Sequence, residues 1–262
     1  MKFKTRRIIL LISLILLIII LGFLIIFLVN RKTNDEFKSE PVTLSFESRV
    51  DKLETFDTGN FYKFGWLQVQ GTYIDMPILD YRSSEAIEEL NYSYGWLSSN
   101  YVQGENRMVI MGHNIINVSS TPMLPDENME NFEEIMAFSY EEFAKDNLYI
   151  QLTIDGKDEI YAIYAVGFYD YGYIGDQSMS DDEVIKEYIK DTKKNSIYDY
   201  GITVNENDDL LVLKTCTRFF GANEKQIFMI NARKLRENEQ VMTYRVRANK
   251  NYKEIFQNFE NM

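Results

Sequence analysis

The sequence predicts a mostly β domain, a barrel or a sandwich, carried on one N-terminal apolar helix. Three observations lead there. Short apolar runs recur between turn signals, amphipathic helical patterns are few, and residues 8–29 are apolar apart from Ser13 and Gly22. No long internal repeat is present, which points to a single compact domain.

The N-terminal run comes first. Twenty-two residues of helix span about 33 Å, enough for a bilayer's hydrocarbon core. Lys2, Lys4, Arg6 and Arg7 precede it, and Arg31 and Lys32 follow. The excess of positive charge on the leading side predicts a cytoplasmic tail (1–7), a single-pass transmembrane helix (8–29) and an extracellular remainder. A cleaved signal peptide is the alternative. The run is long for such a peptide, and Leu28-Val29-Asn30 lacks small residues at a cleavage position.

Residues 30–44 are polar and charged and read as a stalk. Phe46, Val50, Leu53 and Phe56 have helical spacing, so a short amphipathic helix is expected over 45–57. Phe64–Val69 and Ile74–Leu79 read as strands around a Gln70-Gly71-Thr72 turn. Ser84–Leu90 suggests a short helix and Asn106–Gly112 a strand. Met129–Ala144 is helix or loop with a polar face. Leu148–Ile154 and Glu159–Phe168 flank Asp155-Gly156-Lys157, a hairpin signal. Ser180-Asp181-Asp182-Glu183 reads as a capping box opening a helix that buries Val184, Ile185, Tyr188 and Ile189. Strands follow at Gly201–Val204, Asp209–Cys216 and Ile227–Ala232, with a further one at Thr243–Val246. The domain is expected over 45–240, with 241–262 as a C-terminal extension.

Beyond residue 32 the chain holds 22 basic and 40 acidic residues, a net charge of −18. Such a surface does not recruit nucleic acid, whose phosphates require a basic footprint. Asp126, Glu127, Glu130, Glu133 and Glu134 form an acidic run. It lacks the regular spacing of a calcium loop and reads as a solvated face. No metal site is expected. The 18 Tyr and 17 Phe residues suit strands and a peptide groove.

The chain has one cysteine and one histidine, each closing an apolar strand pattern. Cys216 ends Leu210-Leu211-Val212-Leu213-Lys214-Thr215, and His113 ends Met108-Val109-Ile110-Met111-Gly112. One thiol makes no internal disulfide, and one Cys with one His is a poor metal site. A lone extracellular thiol is either a buried small hydrophobe or a reactive group. With a proton-transfer partner at a neighbouring strand end, the pair forms a nucleophile and its base. A reactive thiol needs a lowered pKa, and a nearby imidazole is one means to it. Gly112 lets the chain turn sharply, or lets another group approach closely.

Val212-Leu213-Lys214-Thr215-Cys216 resembles the Thr-Leu-x-Thr-Cys signature of sortases, with Val212 in place of the first Thr. Met108–Asn114 resembles that family's strand ending in Gly-His. Gly65-Trp66-Leu67 with Gly71–Ile78 resembles its opening strands, and Ser196–Gly201 resembles class B in particular. The likeness covers roughly residues 45–236. It implies a closed β-barrel with short peripheral helices and a membrane-anchored cysteine transpeptidase that needs no cofactor. Cys216 would attack a Thr carbonyl in a C-terminal sorting signal of a surface protein or pilin. An amine of a peptidoglycan precursor or of a pilin lysine would then resolve the thioester. His113 would be general acid and base, and Thr215, Asn114 and Gln226 would contact substrate. The alternatives are a catalytically impaired module that binds sorting peptides and an extracellular cysteine peptidase.

One departure stands out. Sortases place an arginine at the start of the strand after the cysteine, and here that stretch reads Lys225-Gln226-Ile227. Arg233 lies six residues beyond Ile227, about 20 Å along an extended strand. Arg218, two residues after Cys216, is the nearest arginine in sequence, in a loop that Gly221 allows to fold back. It is read either as the cationic donor or as a solvated loop charge.

Overall fold

The computed structural model describes residues 13–24, 37–57, 62–80, 94–98, 101–128, 132–170, 181–221 and 226–251. The chain divides into two units, Met1–Ser39 and Glu40–Met262. In the first, residues 13–24 form helix α1, about 18 Å long. Its Leu, Ile and Phe side chains are exposed. Among the described residues no helix is long and apolar enough to cross a membrane. The rest of the expected 8–29 span lies outside the described residues.

The second unit is a closed barrel of eight strands. In chain order they are β1 (Tyr62–Val69), β2 (Asp75–Asp80), β3 (Gly95–Leu97), β4 (Arg107–Gly112), β5 (Tyr149–Ile154), β6 (Lys157–Asp170), β8 (Leu210–Thr217) and β9 (Gln226–Lys234). Around the barrel the order is β1-β2-β3-β4-β8-β9-β6-β5, closed by β1 pairing with β5. Most pairs are antiparallel, but β2–β3 and β4–β8 are parallel. Parallel neighbours need a long crossover, and here everything from His113 to Asp209 supplies it. The consequence is geometric: β4 and β8 run the same way, so their C-terminal ends lie side by side.

The long apolar runs became strands because both faces are covered. Leu210 to Thr215 are all buried, rather than alternating. That is the pattern of a strand packed on both sides. Ile110, Leu211, Leu213, Phe228 and Ile230 have no exposed surface. Each such side chain contributes about 1.5–3 kcal/mol by burial. The hairpin between β5 and β6 turns at Asp155 and Gly156, both at positive φ, as a two-residue loop demands.

Short helices surround the barrel. Helix α2 (Val50–Thr55) is shorter than the expected 45–57 segment. A 3-10 helix (Phe132–Ser139) and α3 (Glu141–Asp146) fill the region read as helix or loop. Helix α4 (Asp182–Asn195) buries Ile185, Tyr188, Ile189 and Thr192. Val184 faces outward, contrary to the expected stripe, at 45% exposure. The cap is Asp181, which accepts the Glu183 N–H at 2.8 Å. Ser180 and the expected helix Ser84–Leu90 lie outside the described residues.

Two expected strands are displaced. Gly201–Val204 is irregular, because the Asp199 side chain accepts the Gly201 N–H at 2.9 Å and forms an Asx turn there. The pairing occurs just before it, at β7 (Tyr198–Asp199), with β10 (Arg247–Ala248) as its antiparallel partner. Thr243–Val246 therefore precedes a strand instead of forming one; only Met242 makes an isolated bridge, to Pro41. Residues 241–251 thus pack with the barrel unit through β10.

Candidate active site

Gly112 pairs with Thr215 where β4 meets β8. The next residues in each chain are His113 and Cys216, so the parallel register brings them to adjacent positions. The junction is locked twice. The Thr215 hydroxyl, buried, donates to the Gly112 carbonyl at 2.8 Å. The Asn114 amide donates to the Cys216 carbonyl at 2.9 Å and to the Asn117 carbonyl at 2.9 Å. Phe132 of the 3-10 helix lies against Gly112, where a Cβ would meet the ring at 2.2 Å. Close approach, not a sharp turn, is what the glycine provides.

Cys216 is exposed between buried neighbours. Its surroundings still remove water, and this desolvation pushes the thiol pKa up. The charges of Lys214 and Arg218 pull it down, but less strongly. The expected depression is therefore not found: burial outweighs the two charges and the thiol pKa lies above its ordinary value. His113 is half-buried, with its ring tilted on Trp96 of β3 at 4.7 Å between centroids. Loss of water holds its pKa below the ordinary imidazole value. A neutral imidazole beside a neutral thiol can accept the thiol proton as attack begins, and can return it to a leaving group.

Arg218 is exposed just beyond β8. The segment carrying it is held from both sides. Thr217 Oγ1 accepts the Phe219 N–H at 3.1 Å, and the Gly221 N–H donates to the Arg218 carbonyl at 2.9 Å. Phe219 and Phe220 pack on Phe168 at 4.6 and 5.0 Å between ring centroids. Arg218 sits between the anchored residues, close enough to lower the thiol pKa. Gln226 is buried, pairs with Thr217, and accepts the Phe220 N–H at 3.3 Å through its side chain. It braces the same segment.

Arg233 pairs with Leu210, at the far end of β8 from Cys216. It is buried and makes a two-pronged ion pair with Glu239 at 2.6 and 2.5 Å. The barrel therefore assembles Cys216, His113, Asn114, Thr215, Arg218 and Gln226 at one end and excludes Arg233 from it. Among the described residues no group of His, Cys, Asp and Glu could hold a metal ion.

Three residues escaped the sequence reading. Trp96 belongs to a three-residue strand too short for periodicity to reveal; its Gly95-Trp96-Leu97 alternation was the available signal. Glu133 and Glu134, read as part of a solvated face, are fully buried. Glu133 accepts backbone N–H groups from the segment after His113, and these replace the water its burial removes.

Among solved structures, the chain is similar to Clostridium perfringens sortase B (23% identity over 66% of this chain and 94% of that one, TM-score 0.55). It is also similar to sortase B from the type II pilus of Streptococcus pneumoniae (18%, 72% and 98%, TM-score 0.54). A third is the Staphylococcus aureus sortase B–substrate complex (14%, 72% and 85%, TM-score 0.55). No protein-family model matches the chain, and no curated protein matches it in sequence. The described barrel carries a sortase B-type fold.

Proposed function

We propose that this protein is a membrane-anchored cysteine transpeptidase of the class B sortase type. The observation that carries the reading is the β4–β8 register, which sets the chain's single His and single Cys at adjacent strand ends. Cys216 Sγ attacks the carbonyl carbon of a Thr in a sorting signal while His113 accepts the thiol proton. The carbonyl oxygen becomes an oxyanion, and the Arg218 guanidinium stabilises it. The C–N bond breaks, the leaving amine takes the proton from His113, and a thioester remains on Cys216. An acceptor amine attacks that thioester, gives its proton to His113, and releases an amide with the thiol restored. The substrates are surface proteins or pilins with a C-terminal sorting signal. The acceptor is an amine of a peptidoglycan precursor or a pilin lysine.

The apolar run 8–29 supports anchoring in the cell membrane, with the N-terminus inside and the barrel outside. Protease added to wall-stripped cells is expected to remove the barrel; full protection would contradict this topology. Asn114, Thr215 and Gln226 border the substrate groove in this reading. Thr215 and Gln226 already hold the strand ends and the Arg218 segment, so they act on substrate by shaping that groove.

The test is product analysis with the full-length protein, a peptide holding an internal Thr, and a primary amine. Ligated amide is expected. Free acid alone would identify a cysteine peptidase. Retained peptide with no cleavage would identify a binding module, the alternative motivated by the missing arginine at the start of β9.

A further inference from the structure

The segment that leaves His113 is tied to a buried carboxylate. Glu133 Oε2 accepts three consecutive backbone N–H groups, from Ile115 at 2.5 Å, Ile116 at 2.8 Å and Asn117 at 3.2 Å. The Asn117 amide donates back to the Glu133 carbonyl at 3.1 Å, and its oxygen accepts the Met123 N–H at 2.9 Å. Glu133 has no exposed surface. A buried carboxyl group is tolerated in such a place when N–H donors replace its water.

The contacts form a continuous path to the thiol. Glu133 fixes residues 115–117; the Asn117 carbonyl receives the Asn114 amide; the same amide holds the Cys216 carbonyl. One residue earlier on the 3-10 helix, Phe132 fills the space over Gly112. The helix thus grips the chain on both sides of His113, at Gly112 before it and at Ile115–Asn117 after it. His113 itself lies between the grips, against Trp96.

We propose that Glu133 is a positioning residue for the His113–Cys216 pair. It sets the backbone from which the imidazole projects and carries that setting to Cys216 through Asn114. This rests on the transpeptidase reading for its catalytic consequence, though not for its structural one. Glu133 touches no substrate. Its effect belongs on the proton-transfer steps, where small displacements of an aligned pair cost up to about 100-fold in rate.

The chain's single histidine makes the test direct, because a 13C-histidine-labelled full-length sample in detergent gives one imidazole signal. Wild type is expected to show one sharp Cε1–H resonance at pH 8. In Glu133→Gln, which replaces one carboxyl oxygen with an NH2 group that cannot accept, the resonance is expected to shift or broaden. kcat should fall at least about 10-fold with KM within about twofold. Glu133→Asp, which keeps a carboxyl group as acceptor, should restore part of both. Should Glu133→Gln fail to fold, Asn117→Ala cuts the return bond to the Glu133 carbonyl and should perturb the same resonance. An unchanged imidazole signal in folded Glu133→Gln or Asn117→Ala would overturn the proposal. If wild type proves inactive on every peptide, the transpeptidase reading fails while the resonance arm still decides the role of Glu133.

Discussion

The two ends of the β8–β9 ribbon differ sharply in how their charges are used. At the end near Leu210, Arg233 is buried against Glu239, Arg236 holds Asp208 at 2.7 Å, and Lys234 holds Glu159 at 2.6 Å. At the other end, Cys216 and Arg218 are exposed. Among the described residues no carboxylate pairs with Arg218, although the chain holds 40 acidic residues. The same strand pair therefore carries buried or paired charges at one end and the exposed groups of the proposed site at the other. Among the described residues, Arg233 is buried in an ion pair with Glu239 while Arg218 is exposed, and the proposed role of Arg218 rests on that contrast.

His113→Ala gives the largest expected loss. Removing the only imidazole should lower turnover by roughly 100- to 10,000-fold, with cooperative unfolding retained. Turnover above a tenth of wild type would mean that the proton moves by another route.

Arg218→Ala comes next. A single fixed donor to an oxyanion is worth about 2.7–4 kcal/mol, so acylation should slow by roughly 100-fold or more. Arg218→Lys keeps the charge without the planar fork and should recover only part of this. The thiol offers an independent readout. Because Arg218 lowers the Cys216 pKa, iodoacetamide alkylation of Arg218→Ala should need a higher pH for the same rate. A collapse of acylation in Gln226→Ala with Arg218→Ala near wild type would place the donor on β9.

Arg233→Ala should separate the two ends. Breaking a buried pair costs about 3–5 kcal/mol, so chemical denaturation should show a large loss of stability. Turnover per folded molecule should stay within about twofold. A selective loss of kcat with stability intact would erase the distinction between the ends.

The smallest effect concerns Glu134. Burial, with help from the charges of Glu133 and Asp126, raises its pKa from 4.5 to about 7, against the lowering effect of the Tyr73 N–H. The folded chain thus binds this proton more tightly than the unfolded one. The stabilising contribution is complete below about pH 4.5 and is lost as pH rises through about 7. Glu134→Gln should flatten the dependence of Tm on pH across that window and raise Tm at pH 8. An unchanged profile would show that Glu134 is ionised throughout.

The barrel was legible where strands are long and apolar. β1, β2, β4, β5, β6, β8 and β9 all announce themselves by composition. β3, β7 and β10 do not, because two or three residues hold no period and their pairing depends on partners distant in sequence. Cys216 and His113 were legible as solitary residues at strand ends. The directions of their pKa shifts were not, since these depend on the water that folding removes. Glu133 shows the deepest limit. A run of carboxylates reads as solvated until tertiary structure supplies three N–H groups that replace the solvent.

Intact-mass spectrometry of the full-length protein tests the central claim most directly. The sample is incubated without amine, with peptides that each hold one internal Thr. The account predicts a covalent adduct on Cys216 equal to the peptide up to and including Thr, released as an amide when a primary amine is added. Peptide cleavage by Cys216→Ala, or cleavage by wild type with no thioester after rapid acid quenching, would contradict it.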